Sequence, residues 1–409
     1  MNACNPKAYT IPGGDSMQAD LAPQRHLTPL LLAPVGGTTV ALACDGGRLS
    51  SDTGLVLRKD IDEQLGLTRA WAAALSDARD ARRIRFTPED LLKQRLLQIA
   101  AGYEEANDAN PLRHDPLCKL LLDRLPETGA PLASQPTISR FDNRVSRTAL
   151  YRMALVLMDQ FIASYDSPPE VIGLDVDDTE DRAHGEPEHI RYDGYYGGYC
   201  CMPCHLSAGL SGRLSTTILK AKRFSGAHML AVLKRVVTRR RHAWPDTGGI
   251  LRGDSHFASP EVMAWMEAQP QLRYVIGLTS NAVLQKLAQE VVEQAKRAYA
   301  CWGRKATRFH STRDQAGPGS RSRRVVIKVE VSVHGVTTRL VVTDMEQARP
   351  QVPYRHIDCA RGHMENESKD HTLSRQSDRT SCHRFAANQV RLFLPSAADM
   401  LLDTLRREV

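Results

Sequence analysis

The sequence predicts an α/β protein in which a helical first part leads into strands alternating with helices. Three observations carry that expectation. Helical start signals and periodicity dominate residues 60–165. From Glu170 onward, short apolar runs rich in β-branched residues alternate with helix-length segments. Two of those runs end in carboxylates, the pattern of strands whose tips hold polar groups.

Residues 1–50 hold several prolines and glycines and no sustained periodicity, so they read as a loose arm with a short strand at 38–43. The run Asp60-Ile61-Asp62-Glu63-Gln64-Leu65 leads into Leu67, and residues 70–83 read as an alanine-rich helix with arginines. Thr87-Pro88-Glu89-Asp90 starts another helix: Thr caps, Pro suits the first helical position, and the acids favour the positive end. Ser134-Gln135-Pro136-Thr137 opens what reads as one long helix towards Tyr165. On such a helix Arg140, Arg144 and Arg147 fall at i, i+4 and i+7 and share a face. They are candidates for gripping DNA phosphates, although a solvated face is the ordinary outcome of that spacing.

Residues 171–176 form the first buried strand, ending in an acidic cluster. Residues 190–199, 202–208 and 214–219 read as further strands or hairpin arms, with Gly197-Gly198 a turn. Residues 225–244 are a helix whose last turns carry Arg239, Arg240, Arg241 and His242, which suits the helix dipole. Residues 249–251 are a short strand delivering Asp254, Ser259-Pro260-Glu261 starts a helix, and residues 273–278 are another strand. Residues 281–299 are helical, 303–324 are basic and rich in Gly and Ser, and 313–324 read as a mobile basic loop. Two strands, 325–333 and 337–342, flank His334-Gly335 as a hairpin. The last helices begin near Arg361.

With 409 residues, 42% hydrophobic and 25% charged, the chain is long enough for two or three domains with a buried core. The divisions expected are an arm at 1–50, a helical unit at 51–168, a core at 169–278 and 351–409, and an intervening block at 279–350. The net charge of +7 favours a polyanionic partner. Nine cysteines in no framework spacing indicate a reducing compartment. No apolar run approaches the roughly 20 residues of a membrane span, so the expectation is a cytoplasmic protein with no membrane partner.

The chemistry concentrates in three acids. Asp177 lies in Leu174-Asp175-Val176-Asp177-Asp178-Thr179, Asp254 in Arg252-Gly253-Asp254-Ser255, and Glu365 in Arg361-Gly362-His363-Met364-Glu365-Asn366. Two strand ends and a helix can bring such carboxylates together as a two-metal site for phosphodiester chemistry, holding Mg²⁺ or Mn²⁺. Asp177 is nearer the strand tip than Asp175, which stands as a second-sphere or alternative ligand. Arg361 and Lys369 flank Glu365 at i−4 and i+4 and would hold phosphates. A solvated loop and a surface salt-bridge ladder remain the bland alternatives for these acids. Cys200, Cys201, Cys204 and His205 suggest zinc only weakly, since no second ligand pair follows. No Gly-x-Ser-x-Gly elbow supports a serine nucleophile.

The order and wording of these motifs resemble the DDE transposases of bacterial insertion sequences, in the branch typified by insertion sequence 1380. The resemblance runs over nearly the whole chain. It includes Ser51-Asp52-Thr53-Gly54-Leu55, Gly102-Tyr103-Glu104-Glu105-Ala106-Asn107-Asp108, Leu132-Ala133-Ser134-Gln135-Pro136-Thr137, the Asp177 segment, His184-Gly185, Leu251-Arg252-Gly253-Asp254-Ser255, the Arg361 to Asn366 segment and Asn388-Gln389-Val390-Arg391-Leu392. It implies a ribonuclease-H-like catalytic core with a β-rich insertion at 279–350, preceded by an α-helical DNA-binding domain. It further implies two metal ions on Asp177, Asp254 and Glu365, and double-stranded DNA as partner, both terminal inverted repeats and target. Cleavage at the element's ends, joining of the 3′-OH to target DNA and a homodimer on DNA follow from the same resemblance. Within it Asp358 stands where the family has Tyr, and Thr372 where the wider superfamily has Lys. The chain ends soon after the Asn388 helix, where members commonly continue. The alternative expectation is therefore a truncated, inactive copy that only binds repeat DNA, and a plain metal-dependent nuclease is a third.

Overall fold

A computed structural model describes residues 30–42, 52–126, 128–194, 197–209, 211–220, 225–315, 321–354 and 381–408. A small antiparallel hairpin, β1 (Leu30–Val35) and β2 (Thr38–Leu42), precedes the helices. The expected lone strand thus has a partner, the apolar run before it.

The helical part holds Leu55–Leu65, Leu67–Ala74, Pro88–Ala100, Gln135–Asp142 and Arg147–Ala163. The Pro88 helix starts as its sequence dictates. The Thr87 hydroxyl accepts from the Asp90 N–H at 3.1 Å, and the Asp90 carboxylate accepts from the Thr87 N–H at 2.8 Å. Two expectations are corrected. The alanine-rich helix ends at Ala74, and residues 81–83 form only a short 3-10 turn. The long helix from Ser134 is two helices. Asn143 closes the first by donating to the Ser139 carbonyl at 2.8 Å, and the Ser146 hydroxyl caps the second by accepting from the Ala149 N–H at 3.2 Å.

Ten strands form one mixed sheet among the described residues. Its centre is β3 (Val171–Asp178), with β8 (Gly248–Gly253) parallel on one side and β6 (Gly198–Ala208) antiparallel on the other. Outside these lie β9 (Leu272–Gly277), parallel to β8, and β7 (Leu214–Lys220), antiparallel to β6. Short β4 (Asp181–Arg182) and β5 (Arg191–Asp193) pair with the start of β6. Beyond β9 the sheet continues through β12 (Gly335–Thr343), β11 (Arg323–Ser332) and β10 (Ala306–Asp314), all antiparallel. The two ends of the basic stretch expected as a loop at 313–324 are strand: Arg313 and Asp314 close β10 opposite Arg324 and Arg323 of β11. β10 escaped detection because, as an edge strand half open to solvent, it carries polar residues on both faces.

The buried runs of β3, β8 and β9 pack against the helices Gly226–Ala243 and Pro260–Glu267 in the main core. The helix Ala282–Trp302 covers β11 through Leu284, Ala288, Val291 and Ala295. The final helix, Phe385–Glu408, buries Val390, Phe393, Leu394 and Ala397 among Trp71, Leu92, Leu96 and Met153 of the N-terminal helices. The Gln389 side chain also accepts from the Leu219 N–H of β7 at 2.7 Å. One helix thus ties the first and last parts of the chain to the sheet. No helix among the described residues is long and apolar enough to cross a membrane.

Candidate active site

Two of the three expected acids come together. In the parallel pair β3–β8 the register sets Val176 opposite Gly253, so Asp177 and Asp254 are the next residue on each strand. Neighbouring strands run about 4.8 Å apart, which puts the two carboxylate-bearing positions side by side at one end of the sheet. Asp254 is exposed and begins a 3-10 turn, Ser255–Phe257, with no hydrogen bond from its side chain to that turn. Gly253 allows the turn to close, because a Cβ there would meet the Phe257 ring at 3.0 Å. Asp177 is half-buried and faces His205 across β6. His205 in turn pairs with Thr217 of β7, whose hydroxyl lies 3.1 Å from Nδ1. A polar row, Thr217–His205–Asp177, thus runs across the sheet to Asp254.

Asp175 does something else. It is fully buried, and both its oxygens engage Arg252, the residue opposite it on β8; Nη2 donates to Oδ2 at 2.5 Å. Arg252 also donates to the Gly209 carbonyl at 3.0 Å. A carboxylate so enclosed is held by its own cation, so Asp175 ties β3 to β8 two residues below the acid tips. Asp178 points the other way and lies 2.9 Å from His256 Nε2, an ion pair when that ring is protonated. The Asp178 and His256 pair therefore bridges the same two strand tips from behind.

The cysteine motif is structural. Cys204 is buried in the main core and Cys201 in a separate cluster with Leu219 and Leu392, on opposite faces of β6. Burial raises the Cys204 thiol far above its ordinary range, and the negative charges of Asp178 and Asp177 push it further. Among the described residues no group of three His, Cys, Asp or Glu side chains is arranged to hold a metal ion. Glu365, Arg361, Lys369, Asp358 and Thr372 lie outside the described residues.

The three arginines expected on one helical face do not share one. Arg140 is in the last turn of its helix, Arg144 in the connecting turn, and Arg147 opens the next helix, because Asn143 and Ser146 break the run. All three are exposed, and Arg140 keeps a 3.5 Å contact to Thr137 Oγ1. Sequence reasoning passed over three residues at the site. By sequence Arg252 is only part of the Asp254 motif, His205 only a weak zinc candidate, and nothing singles out His256. The alternation of β8 and its pairing with β3 would have flagged Arg252, since a charged residue on a two-sided buried strand needs an opposite charge beside it.

Residues 32–409 match the family Transposase DDE domain group 1. No curated protein matches. Among solved structures, the cryo-EM structure of the piggyBac transposase synaptic complex with hairpin DNA is similar at 12% identity, covering 87% of this chain and 76% of that one with a TM-score of 0.44. With the family matched over nearly its whole length, the chain belongs to the DDE transposases of domain group 1, a family of DNA transposition.

Proposed function

We propose that this chain is a metal-dependent transposase with a ribonuclease-H-like core, of the branch typified by insertion sequence 1380. In this reading it binds the terminal inverted repeats of its element, cuts at their ends and joins the freed 3′-OH to target DNA. The observation that carries the reading is the meeting of Asp177 and Asp254 at adjacent C-terminal tips of parallel strands. The strand order β7–β6–β3–β8–β9, three antiparallel strands followed by two parallel to the first, supports the core assignment.

The donor set suits hard divalent cations. Asp177 and Asp254 offer oxygen ligands on rigid strand ends, and Asp254 is open to solvent. With Glu365 they would hold two Mg²⁺ or Mn²⁺ ions, which when bound supply Lewis-acid stabilisation of the attacking and leaving oxygens. The chain's own contribution is positioning. The Asp175–Arg252 pair fixes the register of the two acid-bearing strands, and Asp178 with His256 braces their tips. Arg361 and Lys369 would orient the scissile phosphate, and Arg140, Arg144 and Arg147 would hold repeat DNA from the helical unit, as a homodimer on two ends.

The test is an in vitro reaction with Mg²⁺ on duplex DNA carrying the flanking terminal repeats, comparing wild type with Asp177→Ala and Asp254→Ala. Nicking and strand joining are expected from wild type and lost in both variants, while repeat binding persists in all three. Repeat binding by wild type without any cleavage would leave an inactive DNA-binding copy; cleavage without joining or end preference would leave a plain nuclease.

A further inference from the structure

Away from the acid tips, the helices Arg147–Ala163 and Gly226–Ala243 enclose an open trough of about 700 Å³. The two helices are anchored at one end by Trp244, whose ring meets Phe161 at 6.2 Å and Tyr165 at 5.2 Å. Leu155 and Leu230 lie in its floor. Along the wall run Lys234, Arg235, Thr238 and His242, all exposed, with Tyr151 facing them at 48% exposure. Among the described residues no Asp or Glu lines the trough. Arg239 is the exception among its cations, held bidentate by Asp159 at 2.7 and 2.6 Å. Lys234, Arg235 and His242 have no ion-pair partner among the described residues. The Arg235 guanidinium donates to its own helix's Ala231 carbonyl at 2.8 Å and lies 5.9 Å from the centre of the Tyr151 ring.

The helix dipole does not account for this set. Its favourable zone is the last turn, and Lys234 and Arg235 lie two turns earlier. The spacing 234, 235, 238, 242 puts the four polar groups on one stripe, about 12 Å long at 1.5 Å per residue. A DNA strand presents a phosphate every 3.4 Å of helix axis, so this stripe spans about three nucleotides. Lys, Arg, Thr, Tyr and His are all side chains that donate to phosphate oxygens, and an acid-free apolar floor accommodates deoxyribose.

We propose that this trough is a second duplex-DNA contact surface of the protein, holding one sugar–phosphate strand away from the scissile position. The proposal rests on the transposase reading for its DNA and adds a site to it. The topology sets the separation. β7 ends at the acid end of the sheet, and the helix from Gly226 then returns to the far end, where β8 begins opposite Val171. Its first turn lies against Ser259 and Glu261, just past Asp254. Lys234 to His242 are therefore roughly 12 to 24 Å down the helix from Gly226, beyond the reach of the phosphate being cut.

The experiment is fluorescence anisotropy of a labelled duplex bearing the terminal repeat and its flank, titrated at several salt concentrations. It compares wild type, Lys234→Gln/Arg235→Gln and the charge-keeping Lys234→Arg/Arg235→Lys. Two lost phosphate contacts make the log–log salt slope shallower by about 1.8, equivalent to about 60-fold weaker binding at 0.1 M salt. The charge-keeping variant is expected to retain the wild-type slope, which separates lost charge from a disturbed fold. A glutamine variant that binds DNA with the wild-type slope overturns the proposal and leaves the trough to an acidic protein segment. Failure of the transposase reading gives a different record: wild type would then bind no duplex, or would bind but never nick under Mg²⁺.

Discussion

The pair Asp175–Arg252 offers the sharpest test of how the site is held. Its side chains are 0% and 4% exposed, and it links the two strands that carry Asp177 and Asp254 at equivalent register positions. Arg252→Met keeps the length of the stem and removes the charge. It leaves the Asp175 carboxylate without a cation in a place water does not reach, a change that costs about 3–5 kcal/mol. Adding Asp175→Leu removes the stranded charge, and hydrophobic replacement of a whole buried pair is often neutral or better. The Gly209 carbonyl, which loses its donor, still costs about 1–3 kcal/mol. The double variant should therefore be more stable than Arg252→Met alone. Equilibrium urea unfolding followed by tryptophan fluorescence measures both, with Trp244 in the main core as a reporter. Because the pair is buried, the difference should be insensitive to added salt. An Arg252→Met variant within about 1 kcal/mol of wild type, or a double variant as unstable as the single, would refute the reasoning.

Two further outcomes follow from buried groups, one beside this pair and one in the helical part. Gly209→Ala should destabilise the sheet and weaken any metal-dependent cleavage, because a Cβ there would sit 1.9 Å from Arg252 Nη2 and 2.9 Å from Asp175 Oδ1. Thermal melting with and without Arg252→Met checks it, and the two losses should not add. Asp142, wholly enclosed at the end of its helix, has its carboxyl pushed up to about 6 by burial, despite the opposing charges of Arg95 and Arg391. The folded state therefore holds the proton more tightly than the unfolded chain does. Its contribution is fully present below the ordinary carboxylate pKa near 3.8 and is lost as pH rises through about 6, roughly 3 kcal/mol over that window. Asp142→Asn should flatten the fall in stability of wild type between pH 4 and 7, and parallel pH profiles for the two proteins would contradict the assignment.

Much of the architecture was legible in the chain because it rests on local rules. Thr87, Ser225, Ser259 and Asn281 each cap the helix that their residue type announces. The apolar runs at 171–176, 249–251 and 273–278 became β3, β8 and β9 because two-sided burial demands continuous hydrophobicity. Failures occurred where local preference was overruled or silent. Spacing alone projected Arg140, Arg144 and Arg147 onto one helix, yet Asn143 and Ser146 offered the backbone side-chain partners that end one helix and start another. The polar strand β10 carries little hydrophobic signal, since its pairing with β11 is made by backbone hydrogen bonds that any sequence can supply.

By itself, the sequence singled out candidate acids and placed them at strand ends: Asp177 and Asp254 both follow apolar runs. Tertiary structure decided which carboxylate lies in the interior and which stand at the strand tips. Asp175 and Asp177 are two residues apart and share a face of one strand, so no local pattern separates their roles. The parallel register does so, because it sets Arg252 against Asp175 in the interior and Asp254 beside Asp177 at the open edge. A buried carboxylate persists as an ion only against a cation, while one at a strand tip stands beside solvent, and that distinction exists only once the strands have paired.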